Sequence, residues 1–341
     1  MITRRLFAIA AAASLTVGAS AQAQTPEEFF EGRTIRVISS TGAGGTMDLY
    51  LLLFMKYAER HLPSGTTMVL DHRTGGGGAI MANYMYNQAN NDGTEIGMPV
   101  PALVSSTFST PDATRYDPSE FGVLGRLVDN PRVFVARAET GFETLEDMAN
   151  AESETTHGIM TVGASFDQFM RVANESMGTN FRPVAGYSGG GPTFLALEQG
   201  EVMSTTAEPA NLLANKWHLV EAGDINVLGY LGLEPIPGLE AYPNLLDLID
   251  ESNPAYGQTM AVAQSSGLGL SLITPPNVPE DRLAYLRQVF DATMTDPDLI
   301  AEAAERRIPL AYSTGDQVAQ IITESLAIDD ATRAWFAALN N

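Results

Sequence analysis

The chain has 341 residues and no cysteine, and 41 acidic against 19 basic residues give a formal net charge of -22 at pH 7. The length suits two domains of ordinary size. The acidity argues against nucleic acid or an anionic membrane surface as partner, and the lack of cysteine excludes disulfides, thiolate metal sites and a lipid anchor on cysteine. An anionic ligand would have to be held by local donors against the field of the whole chain.

Arg4 and Arg5 precede an apolar run from Leu6 and the small residues Ala19, Ser20, Ala21 and Ala23. That is the pattern of an export signal over residues 1–23, by the general or the twin-arginine route, and the run is too short to span a bilayer. Next, Ile35, Val37 and Ile38 read as a short strand, followed by the loop Thr41, Gly42, Ala43, Gly44, Gly45 and Thr46. Met47, Tyr50, Leu51, Phe54, Met55 and Ala58 then recur at helical spacing. Glycines between a strand and a helix start let backbone N–H groups converge, and the helix dipole favours an anion there. A tight turn without ligand is the alternative. The loop lacks the Lys-Ser/Thr of a phosphate-binding P-loop, and Met47 stands where a dinucleotide fingerprint needs its third glycine.

The unit repeats with a strand at 66–70, four glycines at 75–78, and a helical stripe of Ile80, Met81, Tyr84, Met85 and Ala89. A strand at 95–98 runs into Pro99, Val100, Pro101 and Ala102, and further strands are expected at 121–128 and 133–136. From Gly158 the opening pattern returns: a strand at 159–162, the loop Gly163-Ala164-Ser165, and a helix with Phe166, Phe169, Met170, Ala173 and Met177 inward. A further glycine loop, Gly186-Tyr187-Ser188-Gly189-Gly190-Gly191, leads into Pro192. Strands at 202–207 and 225–230 and helices at 210–221, 279–294, 296–306 and 315–340 complete the chain. Strands alternating with helices imply an α/β fold of two domains, each a mostly parallel sheet flanked by helices with the ligand cleft between. We place the domains at 24–126 plus 227–341 and at 127–226, closing about crossings near 124–128 and 225–228.

The segment from Thr41 to Asp48 resembles the P-F-x-x-G-G-x-x-D of a known family; His72-Arg73-Thr74 with the four glycines is similar to its N-R-P-G-A-G-G, and Asn91-Asp92-Gly93-Thr94 to its P-D-G-Y. Tyr187 to Pro192, followed by Leu197 to Val202, resembles Y-K-G-x-x-P…L-x-G-x-V-D. These mark the substrate-binding proteins of tripartite tricarboxylate transporters, the Bug family, and the resemblance runs from about Arg33 to the C-terminal helix. It implies a periplasmic Venus-flytrap monomer, without cofactor or catalysis, that carries a small di- or tricarboxylate, aromatic or amino-substituted acid to membrane subunits. Carried onto this chain, the clamp comprises residues 41–46 in one domain and Tyr187, Ser188, Gly189 and Gly190 in the other. Pro101, Ala102, Ser165 and Phe166 line the rest. The chain departs from the family after Val202, and Glu208 stands about where many members have asparagine beside the ligand. Facing the cleft, Glu208 would favour an amine-bearing or hydroxyl-rich ligand; otherwise it is a surface acid before Pro209.

Gly186-Tyr187-Ser188-Gly189-Gly190 also satisfies the G-x-S-x-G of serine hydrolases, with Ser188 as nucleophile. The one downstream histidine, His218, is too close in sequence for the usual order of triad elements. His61, His72, His157 and His218 lack metal-ligand spacing and are expected at the surface or at helix caps. Phe169 is assigned to the core and Phe166 to the cleft, while Arg73 either anchors its loop through a salt bridge or meets the ligand. A sensory protein of the same fold is a third reading.

Overall fold

The structure, a computed structural model, describes residues 24–339; the export signal expected at 1–23 lies outside them. Among the described residues eleven strands run in chain order: β1 Thr34–Ser39, β2 Thr67–His72, β3 Glu95–Met98, β4 Gly122–Val128, β5 Arg132–Arg137, β6 Thr155–Gly158, β7 Phe181–Val184, β8 Ser204–Ala207, β9 Ile225–Leu231, β10 Leu270–Thr274 and β11 Ser313–Thr314. They form a six-stranded sheet, ordered β11-β4-β10-β3-β1-β2, and a five-stranded sheet, ordered β7-β6-β8-β5-β9. Both are mixed. Pairing is parallel where strands and helices alternate, as for β1 with β2 and β3 and for β6 with β7 and β8. It is antiparallel where β10 and β11 join β4, and where β5 lies between β8 and β9.

The helices that carry the argument are α1 Thr46–Ala58, α2 Ala79–Asn87, α3 Ser165–Met177, α4 Gly190–Glu198, α5 Tyr256–Leu268, α6 Glu280–Met294, α7 Pro297–Glu305, α8 Gly315–Leu326 and α9 Asp330–Ala338. Around the first sheet, Ile35, Val37, Leu51, Phe54, Leu272 and Phe290 share one core. Around the second, Phe134, Phe169, Leu228, Val262 and Phe336 share another. Burying such side chains contributes roughly 1.5–3 kcal/mol each, so each sheet carries its own stabilising layer.

The boundaries expected at 126/127 and 226/227 both fall inside strands. β4 stays in the first sheet to Val128, and β9 stays in the second to Leu231. The chain crosses between sheets at 129–131 and returns at Gly269, because α5 packs Ala261, Val262 and Ala263 into the second core, and α9 finally carries Phe336 back to that core. The two crossings lie side by side: the Asn130 N–H donates to Ser266 O at 3.0 Å. Gly269 has φ of 50°, and a Cβ there would lie 2.0 Å from Val128 O, so only glycine fits. Strand periodicity marks burial and does not mark which sheet a strand joins, which is why it sets both boundaries too early. A second shift concerns the strand expected at 159–162. It is β6, four residues earlier, and its polar Thr155, Thr156 and His157 concealed it. Residues 159–164 are loop.

Candidate functional site

Two strand-loop-helix units are built alike, one in each sheet. After β1, Gly44 has φ of 82° and its N–H donates to Asp48 Oδ2 at 2.7 Å; after β6, Gly163 has φ of 78° and its N–H donates to Asp167 Oδ2 at 2.7 Å. Each aspartate is buried in the first turn of its helix, α1 or α3, four residues beyond the glycine. Asp48 is braced by His72 Nε2 at 2.8 Å and Asp167 by Arg171 Nε at 2.8 Å. The carboxylate fixes the loop and leaves the remaining first-turn amides, which have no intrahelical partner, facing outward.

Between the sheets lie two adjoining cavities that share Val100, Pro101 and Asn130. The smaller, about 410 Å³, is walled by Gly76, Gly77, Ala102, Ser105, Thr161, Ser165, Gln168 and Phe169, with Arg132 among them. The larger, about 800 Å³, is walled by Thr41, Thr46, Met47, Tyr50, Asp129, Glu208, Glu234, Pro309 and Tyr312, among others. Glycine-rich loops thus meet the cleft from both sides. The run 75–78, with four successive positive φ angles, comes so close to the 99–102 loop that a Cβ on Gly78 would lie 2.6 Å from Val100 Cγ2.

Arg132 is the side chain that the sequence did not single out. It is 4% exposed at the start of β5, and its Nε and Nη1 have no hydrogen-bond partner. Nη1 lies 3.3 Å from Glu208 Oε1, ion-pair distance without the alignment of a hydrogen bond. The guanidinium sits 4.9 Å from the centroid of the Phe166 ring, which serves as its shelf. Burial pulls the Arg132 pKa down and Glu208 opposes that. A buried cation with unsatisfied donors is costly, so a cavity beside it is chemically suited to an anion. In the sequence its sole trace is an arginine ahead of the apolar run Val133 to Ala136.

Of the residues anticipated, Thr41, Thr46, Pro101 and Glu208 line the larger cavity, and Pro101, Ala102 and Ser165 the smaller. Gly42, Ala43, Gly44 and Gly45 form the exposed bend between Thr41 and Thr46. Tyr187, Ser188, Gly189 and Gly190 line neither cavity; the Tyr187 OH donates to Glu201 Oε1 at 2.8 Å, and a Cβ on Gly190 would lie 3.6 Å from Phe166. That loop backs the shelf under Arg132. Phe169 is a core residue, as expected, and also touches the smaller cavity, whereas Phe166, expected in the cleft, is turned by helical phase down under Arg132 and lines neither cavity. Arg73 makes no salt bridge among the described residues and stacks on Tyr84, 3.4 Å from its centroid.

The triad reading of Ser188 finds no support. Among the described residues, the serine–histidine hydrogen bond present is between Ser204 and His157 Nδ1, 3.0 Å apart and both fully buried. His157 is thus a core residue, not the surface or cap histidine expected. Among the described residues no three His, Asp or Glu side chains gather as metal ligands, and no helix is long and apolar enough to cross a membrane.

The chain resembles known proteins over most of its length. A Cupriavidus necator protein, described as a UPF0065 protein in the gbd 5' region, is 24% identical over 326 residues, covering 93% of this chain and 91% of that protein. Among solved structures, a solute-binding protein from Polaromonas superposes with a TM-score of 0.70 at 20% identity, covering 91% of this chain and 98% of that one. A Rhodopseudomonas palustris protein, MatC with bound malate, gives 0.61 at 16% identity with 91% and 99% covered. Another R. palustris protein, with adipate, gives 0.61 at 18% with 90% and 98% covered. A family model described as the tripartite tricarboxylate transporter family receptor matches residues 58–332. With its two sheets and the cleft between them, the chain belongs to the tripartite tricarboxylate transporter family receptors.

Proposed function

We propose that this protein is a periplasmic receptor that binds a small carboxylate between its two sheets and delivers it, without catalysis, to the membrane subunits of a tripartite transporter. The observation that carries this reading is Arg132: a buried guanidinium whose Nε and Nη1 lack a hydrogen-bond partner, in the wall of a cavity that loop 159–164 and the first turn of α3 also line. Guanidinium and backbone N–H groups together suit a carboxylate, and charge-assisted bonds at about 3 Å outweigh a global field screened within about 8 Å. Malate and adipate in two structural relatives are in keeping with that ligand class.

Binding proceeds by closure. The open cleft is lined by both sheets, and a ligand touching both favours the closed state through contacts only that state makes. We place the hinge at 129–131 and Gly269, where the crossings are adjacent. Thermal unfolding of the mature protein with a panel of mono-, di- and tricarboxylates, aromatic acids and amino acids tests the reading. At least one carboxylate should raise the midpoint by several degrees; stabilisation by none, together with esterase activity lost in Ser188→Ala, would overturn it.

A further inference from the structure

The cleft separates charge along its length. Arg132 is the one charged side chain among the residues lining the smaller cavity. The larger cavity is lined by three acids, Asp129, Glu208 and Glu234, and one cation, Arg126. Arg126 is buried and committed elsewhere, with Nε donating to Ala311 O at 3.3 Å and Nη1 to Gly267 O. Among the described residues neither Asp129 nor Glu234 forms an ion pair, whereas Glu208 faces Arg132 across 3.3 Å.

Tyr50 lines the same larger cavity. Its phenol is held well above its usual range, first by burial and then by the carboxylates of Glu208 and Asp129. Burial likewise raises Asp129, against the pull of Arg126. Counting both cavities with every group ionised, two arginines face three carboxylates. A dicarboxylate would add two negative charges to that excess, and a simple monocarboxylate one. A molecule with a carboxylate at one end and an ammonium at the other adds none, and it supplies the cation that the acidic end lacks. Once a ligand carboxylate occupies the donors of Arg132, Glu208 is free to accept from that ammonium.

Building on the carboxylate reading above, we infer that the ligand is an amine-bearing carboxylate, its carboxylate on Arg132 in the smaller cavity and its ammonium among Asp129, Glu208 and Glu234 in the larger. Like charge across such a cleft is penalised and opposite charge rewarded, so the preference should reach at least about tenfold in Kd.

Isothermal titration of the mature protein with two matched sets tests this: γ-aminobutyrate, butyrate and succinate, and δ-aminovalerate, valerate and glutarate. In at least one set the amino acid should bind at least about tenfold tighter than both its partners. The preference should shrink toward parity in Asp129→Asn/Glu234→Gln and in Glu208→Gln, each checked by circular dichroism and unfolding without ligand. A dicarboxylate binding as tightly as its amino acid, or a ranking unchanged in both variants, would overturn the inference while leaving carboxylate capture in place. Binding by none of the six, with no response to the wider panel, would overturn carboxylate capture as well.

Discussion

Arg132 sets function against stability at the scale of one residue. Its desolvation is not repaid by a well-aligned partner, so Arg132→Met should leave the unfolding midpoint unchanged or raise it, while carboxylate affinity falls by about two orders of magnitude or more. A variant that loses stability and keeps affinity would make the guanidinium structural. His157 offers a separate residue-scale test. Buried against Phe181 at 4.5 Å between ring centroids, its pKa is pushed down to about 3, so the folded state keeps it neutral while the unfolded chain protonates near 6.5. Between those values the unfolded state binds more protons. Its contribution to stability is therefore complete above about 6.5 and lost as pH falls toward 3, by roughly 1.4 kcal/mol per pH unit. Urea unfolding of the wild type and His157→Phe across that range should show their difference shifting against the wild type on acidification; a constant difference would contradict the assignment. Neither residue was legible beforehand. A buried cation with unsatisfied donors and a buried imidazole are defined by what surrounds them, and in the sequence Arg132 and His157 sit at polar strand edges.

At the scale of elements, the strand-loop-helix units were legible because period and glycine placement are local properties. Residues 41–46 emerged from that pattern, as did the repeat of the pattern after Gly158. The structural counterpart of the first loop is residues 159–164, and the aspartate four residues past each loop glycine makes the likeness chemical. Asp48→Ala or Asp167→Ala should release the loop amide, costing about 1–3 kcal/mol in stability and weakening binding, as read by unfolding and calorimetry together. Affinity unchanged in both would mean that the loops are only turns. The chain also bends where a side chain has no room. Gly269→Ala should destabilise by more than 2 kcal/mol or so, since both its backbone angles and Val128 O oppose a Cβ; unfolding at wild-type denaturant would contradict that crossing geometry.

For the whole molecule, two α/β units with a cleft between them followed from alternating elements and recurrent loops. The connections did not, because membership of a sheet is settled by long-range pairing. The segment after Glu208 shows the same limit. It continues through a π-type turn at Leu212–Lys216, with Leu213 in the cleft wall, where the spacing predicts a plain helix. With crossings adjacent at 129–131 and Gly269, ligand should draw the sheets together, and small-angle scattering should show a smaller radius of gyration with saturating ligand than without. The account nonetheless turns on one contact between the cleft and a carboxylate. The most direct measurement is calorimetric titration of wild type and Arg132→Met with whichever carboxylate stabilises the wild type most. The account predicts clear binding by the wild type and its near-complete loss in a folded Arg132→Met; equal affinity in the two proteins would contradict it.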